Sequence, residues 1–276
     1  MAGHDGGAID RTGAMDRVDT TRAHTARAYD YLLGGKDHYP VDAEAGAALI
    51  ADWPAIRVTA RQNRLFIQRV VRYPAREAGV RQFLGIGTGL PTSPNLHEVA
   101  QRERPDAVVV YVDNDPIVLA HAQALLTSSP EGRTAYVDAD MRRPETITES
   151  EAFRKLLDRK QPVALTIIGM LHFIEPPADR LLVRRLLDPL PSGSFLAISA
   201  ATADFAPDEV DRAAARYRSK GVPFVTRDRE QVAAFLDGLE PIEPEVAQLH
   251  RRRPGPEQTA VAAADIGSYG AVARKP

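Results

Sequence analysis

Cysteine is absent from all 276 residues. That excludes disulfides, thiolate catalysis and Cys-based zinc sites, and it fits a cytoplasmic protein. Net charge is also nearly absent, at −2 with a sequence pI of about 6.4, so no global field draws the chain to nucleic acid or to a membrane surface. No apolar run approaches the roughly 18–20 residues of a membrane-spanning helix, and the N-terminus lacks an apolar signal core. No His, Asp or Glu cluster has ligand spacing: His97-Glu98 opens like a zinc-protease helix, but Gln101 stands where the second histidine belongs. No metal is expected. What remains is an ordinary soluble composition, 44% hydrophobic and 26% charged, enough for a full core.

Along the chain, residues 1–19 are rich in Gly, Asp and Ala without apolar periodicity, which predicts a mobile tail. Residues 20–78 read as helix: an alanine-rich start running into Tyr29-Asp30-Tyr31-Leu32-Leu33, a break at Gly34-Gly35, a second helix over 42–51, and an amphipathic third over 56–73. Such a helical stretch before the first strand predicts a cap on an α/β core. From residue 79 strands and helices alternate, with strands expected at 82–86, 107–112, 134–137, 163–168 and 194–199, and two closing strands at 242–249 and 266–273. Helices are expected over 94–102, with Ser93 as N-cap, and over 116–126, 150–158, 178–187 and 207–220. A capping box, Asp228 to Gln231, opens one more. Alternation of this kind predicts a doubly wound, mostly parallel sheet. Arg251-Arg252-Arg253 with its flanking prolines reads as a solvated loop.

The turn after the first strand, Gly85-Ile86-Gly87-Thr88-Gly89-Leu90-Pro91, brings backbone close to a ligand. It fails the dinucleotide spacing, because Leu90 or Thr92 stands where the third glycine belongs. Gly35-Lys36 fails as a phosphate loop: Asp30 replaces the first glycine and Asp37 follows the lysine. The remaining pattern is G-x-G-x-G followed, one βα unit later, by an acid closing strand two. Asp113 is that acid, placed to accept two hydrogen bonds from a ribose diol, with Asn114 beside it. Asp115 suits the N-terminus of the next helix. Strand three ends in Asp138-Ala139-Asp140-Met141, which offers a carboxylate (Asp140, with Asp138 as rival) for an adenine amine and Met141 to cover the ring. Strand four ends in the small Gly169 and then Leu171-His172-Phe173.

On these residues the chain resembles the class I S-adenosylmethionine-dependent methyltransferases, and most closely a bacterial group of S-adenosyl methyltransferases. The resemblance spans about 20–276. It rests on the stretch Ala28-Tyr29-Asp30-Tyr31-Leu32-Leu33-Gly34-Gly35-Lys36-Asp37, on Asn63-Arg64, on 83–92, on His97 to Gln101, on Tyr111 to Pro116, on Leu171-His172-Phe173 and on the closing Val272 to Pro276. It implies a Rossmann-like seven-stranded sheet with one antiparallel strand near its edge, a helical N-terminal extension, and S-adenosyl-L-methionine as cofactor. Residues 79–276 form the cofactor-binding domain in this reading. One departure stands out: such enzymes usually carry Asp or Glu where this chain has Gly85.

Cofactor contacts are thus expected from Gly85, Gly87, Gly89, Asp113, Asn114, Asp140, Met141 and Gly169. The extension adds Tyr29, Gly35, Asn63 and Arg64, as a lid or, for 29–39, merely a helix end and tight turn. His172 borders the expected reacting centre and is the candidate catalytic base, with a satisfied core histidine as the competing reading. The expected activity is methyl transfer to a small-molecule acceptor. Gly85 and the lack of a clear base keep a non-catalytic S-adenosylmethionine- or S-adenosylhomocysteine-binding protein open. A nicotinamide-dependent oxidoreductase is retained for the fold alone.

Overall fold

A computed structural model describes residues 19–125, 127–252 and 261–276. The expected tail up to residue 18, and the prolines of the arginine turn, lie outside the described residues. Strands β1 (Gln82–Ile86), β2 (Val108–Asp113), β3 (Arg133–Asp138), β4 (Val163–Ile167) and β5 (Phe195–Ala201) pair in parallel. With β6 (Glu240–Gln248) and β7 (Ser268–Arg274) they form one sheet ordered β3-β2-β1-β4-β5-β7-β6. β7 runs antiparallel to both of its neighbours. This is the expected mixed seven-stranded α/β sheet.

The strands are buried on both faces because their residues alternate between two cores. Leu84, Ile86, Val108, Val110 and Val112 point to one side, where α6 (Pro144–Thr148), α7 (Glu151–Leu156), α8 (Ala178–Leu187) and α10 (Arg229–Ala233) deliver Ile147, Phe153, Leu186 and Val232. Phe83, Val109 and Tyr111 point to the other, against Leu96 and Val99 of α4 (Leu96–Glu103) and Phe66, Val70 and Val71 of α3 (Ile56–Glu77). The helical extension is therefore not separate from the sheet. Its third helix is both a cap element and one of the layers, and the expected boundary at 78 follows a helix that belongs to the core.

Two local expectations change. The helix after the glycine turn begins at Leu96 with Asn95 at the N-cap position, not at Pro94 with Ser93. Asn95 Oδ1 accepts from Thr92 N at 2.9 Å, and the Ser93 hydroxyl donates to Glu98 instead. The helix expected to stop at 73 continues through Pro74 to Glu77. The capping box does form: Asp228 accepts from Gln231 N, and the Gln231 side chain accepts from Asp228 N.

Above the C-terminal edge of the sheet, α1 (Thr25–Leu33) and α2 (Pro40–Asp52) pack with α9 (Pro207–Ser219) through Leu32, Leu49, Trp53, Val210 and Ala213. α5 (Pro116–Leu125) follows β2 and contributes Ile117 and Val118 to a small cluster with Leu90. No helix among the described residues is long and apolar enough to cross a membrane.

A buried ion pair shapes the loop after β4. Arg227 and Asp179, each about 2% exposed, meet at 2.6 Å. Arg227 also donates to the carbonyls of Leu171 at 2.9 Å and Ile174 at 2.8 Å. Breaking such a pair strands a desolvated cation, so Asp179→Ala should cost about 3 kcal/mol of unfolding free energy in a urea titration. A loss below about 1 kcal/mol would show that the pair is not a structural anchor.

Candidate active site

β1 pairs with β2 on one side and β4 on the other, and the chain's crossovers diverge from that point. In an open α/β sheet this leaves a crevice at the strand carboxyl ends, which is where ligands bind. A cleft of about 360 Å³ opens there, covered by the helical cap. Its volume falls in the range of sites that enclose a small organic ligand.

The glycine turn forms its floor. Gly87 N donates to Val112 O at 2.8 Å, tying the turn to β2. Gly87 and Gly89 both adopt positive φ, 66° and 64°, which side-chain-bearing residues rarely hold. A Cβ at Gly87 would meet Met170 Sδ at 2.1 Å, whereas one at Gly89 would meet nothing within 4 Å. The positive φ is what calls for glycine at 87, where the flexible Met170 side chain packs closely, and Gly89 faces open space.

Asp113 closes β2 as expected and is buried. Its Oδ2 accepts from Gly89 N at 2.9 Å and its Oδ1 from Asp115 N at 3.0 Å. Burial pushes its pKa up and the two backbone donors oppose that shift. Asp113 lines the cleft, and with one donor on each oxygen its carboxylate retains acceptor capacity. Asp115 caps α5 by accepting from Ile117 N at 2.9 Å. It also meets His24 Nδ1 at 2.9 Å, which with Arg27 holds its carboxyl below the usual range. Arg27 bridges on to the fully buried Asp42 at 3.3 Å, so the turn region is bolted to α1 and α2.

A second chain of bonds joins the cap to β4 and β5. Gly169 N donates to Ser199 Oγ at 2.9 Å, Ser199 Oγ donates to Asn63 Oδ1 at 2.8 Å, Asn63 Nδ2 donates to Tyr29 Oη at 3.2 Å, and Tyr29 donates to Ala60 O at 3.0 Å. Tyr29, Asn63 and Gly169, far apart in sequence, thereby meet at one wall of the cleft. Ser199 is not among the residues singled out from sequence, though a lone hydroxyl within an otherwise apolar buried strand is a usable signal. His24 gives none.

The remaining expectations divide. Asn114, Asp140 and Met141 line the cleft, and Asp138 does not. Asp140 Oδ1 accepts from Arg142 N at 2.9 Å. Arg64 lines the cleft and donates to Thr92 O and Pro94 O, holding the loop after β1; burial lowers its pKa. Gly35 does not line the cleft. Gly34, at φ 82°, is the C-cap of α1, and a Cβ on Gly35 would strike the Asp30 carboxylate at 1.9 Å. Asp30 in turn accepts from Asp37 N at 3.0 Å and contacts His38 Nδ1 at 2.9 Å, so the 34–38 turn is a compact helix stop. Of the stretch 29–39, Tyr29 and Leu32 line the cleft.

His172 reaches the cleft inside an aromatic cluster with Phe173 and Phe224. Its Nδ1 is shut off from solvent without a hydrogen-bond partner. Burial, with the Arg227 charge adding to it, holds its pKa down at about 3. A general base works best with a pKa near the operating pH, so this imidazole is a poor proton acceptor at neutrality.

The sequence profile of the S-adenosyl methyltransferase family matches residues 11–276. The chain belongs to that family. Its fold is shared by a DUF574 family protein from Streptomyces avermitilis, 52% identical over 94% of this chain and 100% of that one, at a TM-score of 0.92. A proposed methyltransferase from Thermobifida fusca is 33% identical over 97% and 99% of the two chains, at 0.86. An S-adenosylmethionine-dependent methyltransferase from Anabaena variabilis, 14% identical over 75% and 83%, shares the fold alone at 0.51. No curated protein matches.

The family's cofactor is S-adenosyl-L-methionine, and the cleft fits it: a carboxylate with free lone pairs at a glycine turn, open space above Gly89, and a largely apolar enclosure. Gly85 lies within β1 and lines only a small cavity of about 40 Å³ behind the turn. A Cβ there would meet Leu96 and Thr88 at 3.2 Å. Packing by those two side chains, and the Asp113 bond to Gly89 N, hold the turn without an acid at 85.

Two outcomes are expected. Asp113→Ala should weaken S-adenosylmethionine at least about tenfold by calorimetry, the worth of one charge-assisted bond; unchanged affinity would remove Asp113 from the site. A depressed pKa also means that His172 stays neutral as pH falls, so its ring NMR signal should not move between pH 5 and 8, while in urea it titrates near the ordinary value of about 6.5. A native midpoint near 6.5 would restore a base role.

Proposed function

We propose that this family member transfers the methyl group of S-adenosylmethionine to a small organic acceptor held inside the capped cleft. The observation that carries the reading is the enclosure itself. The glycine turn and the cap helices face one volume of about 360 Å³, a size suited to small ligands rather than to a folded macromolecule.

When bound, the cofactor supplies a methyl group on a positively charged sulfur. The chain's residues bind and orient. Asp113 receives the ribose hydroxyls, with Asn114 beside it; Asp140 and Met141 serve the adenine; Gly87, Gly89 and Gly169 allow close backbone approach. Tyr29 and Asn63, locked by Ser199, and Arg64 keep the cap side of the cleft in place. Because charge on sulfur disperses as a methyl group leaves, alignment and exclusion of water matter more than acid catalysis. A neutral His172 suits such a site: it adds a polar ring without adding a charge.

Incubation with methyl-labelled S-adenosylmethionine and a fractionated bacterial extract provides the test. Label is expected in the low-mass fraction. Label found only in protein or nucleic acid, or no transfer to any fraction, would overturn the proposal.

A further inference from the structure

The cleft has two chemically different ends. Its Asp, Glu, Lys and Arg lining residues are Arg64, Asp113, Asp140 and Arg142. Three of these belong to the carboxyl ends of β2 and β3, and Arg64 bonds the loop after β1. Beyond Gly169, over the ends of β4 and β5, the described lining holds no Asp, Glu, Lys or Arg. It is built of rings instead. Tyr217 and Phe224 stack with centroids 4.9 Å apart and planes 18° from parallel. His172 approaches Phe173 at 4.1 Å and Phe224 at 4.9 Å, and Phe173 meets Tyr217 edge-on at 5.8 Å. Trp53, the chain's single tryptophan and 2% exposed, lines the same cleft from the cap.

This corner is made rigid rather than left to collapse. Val225 N donates to His172 O at 2.8 Å, and Arg227 clamps the Leu171 and Ile174 carbonyls while paired to Asp179. The rings come from three segments: the turn after β4, helix α9 and the loop that follows it. A ring wall held in this way favours a flat aromatic partner, which gains offset or edge contacts beyond simple burial. A charged molecule would lose hydration there with no counter-ion to replace it.

We propose that the corner formed by His172, Phe173, Tyr217 and Phe224 is the acceptor subsite, and that it takes a planar, uncharged aromatic molecule. The inference rests on the small-molecule reading above and narrows it to one substrate class. The nucleoside end lies on the β2–β3 side of β1 and the ring corner on the β4–β5 side, so the two ligands meet near Gly169.

Three probes test it on the full chain, with and without saturating S-adenosylmethionine. These are coumarin (planar and neutral), benzoate (planar and anionic) and cyclohexanol (neutral and not planar). Binding is read by ligand-observed NMR and by quenching of Trp53, the one intrinsic tryptophan signal. Coumarin is expected to saturate with benzoate and cyclohexanol at least about tenfold weaker. Tyr217→Leu and Phe224→Leu, which keep apolar bulk, should each weaken coumarin about three- to tenfold while leaving S-adenosylmethionine affinity within about twofold. Preference for benzoate or cyclohexanol, or indifference of coumarin to both substitutions, overturns the aromatic assignment while leaving a small-molecule acceptor standing. Saturation by none of the three overturns the aromatic subsite, while label in the low-mass fraction of the extract decides the small-molecule reading separately.

Discussion

The glycine turn and the start of α5 are tied together by one buried carboxylate. Asp113 accepts one backbone N–H from the glycine turn and one from its own downstream loop, so a single side chain sets the distance between β1's turn and the start of α5. Its neighbour Asp115 extends the tie to His24 and, through Arg27, to Asp42. Desolvating carboxylates is costly, and the donors around them are what keep these groups in place. The cap is therefore held to the sheet by the same segment that presents Asp113 to the cleft. Seating the cap and shaping the turn are one event rather than two.

On the opposite wall the Gly169, Ser199, Asn63 and Tyr29 relay serves a similar purpose with neutral groups. The cleft is thus framed by charged side chains at the ends of β2 and β3 and by hydroxyls and amides at its centre, with rings at the far end. Charge falls off along its length.

Much of this was legible in the residues. Continuous apolar runs marked the strands, failed glycine spacings removed rival nucleotides, and an acid at a strand end pointed to Asp113. Other features needed the fold. Gly35 reads as part of a ligand loop because Gly-Gly beside Lys and Asp is ambiguous, yet it serves a helix stop that wraps Asp30. The helix expected to stop at 73 runs on through Pro74, although a proline inside a helix costs about 3 kcal/mol. Burial of Val70 and Val71 against the sheet, at roughly 1.5–3 kcal/mol each, is enough to offset that cost. Phe173, Tyr217 and Phe224 carry no common motif, and the topology alone brings them together.

The position of β7 has a bearing on how the molecule assembles. It follows β6 in the chain but lies between β5 and β6, and β6 reaches the sheet only through it. β6 cannot join the sheet until β7 has paired with β5. The segment leading into β7 also seats the cap: Thr59 Oγ donates to Asp265 O and accepts from Gly267 N, and Gly267 lies so close to the Trp53 ring that a Cβ would clash at 2.3 Å. Contacts between residues about two hundred positions apart carry a large loop-closure cost and form late. A chain caught before that hairpin docks would have its parallel strands in order and a cap without its seat, so the cleft is a product of completed folding and no partial form of the protein should hold the cofactor well.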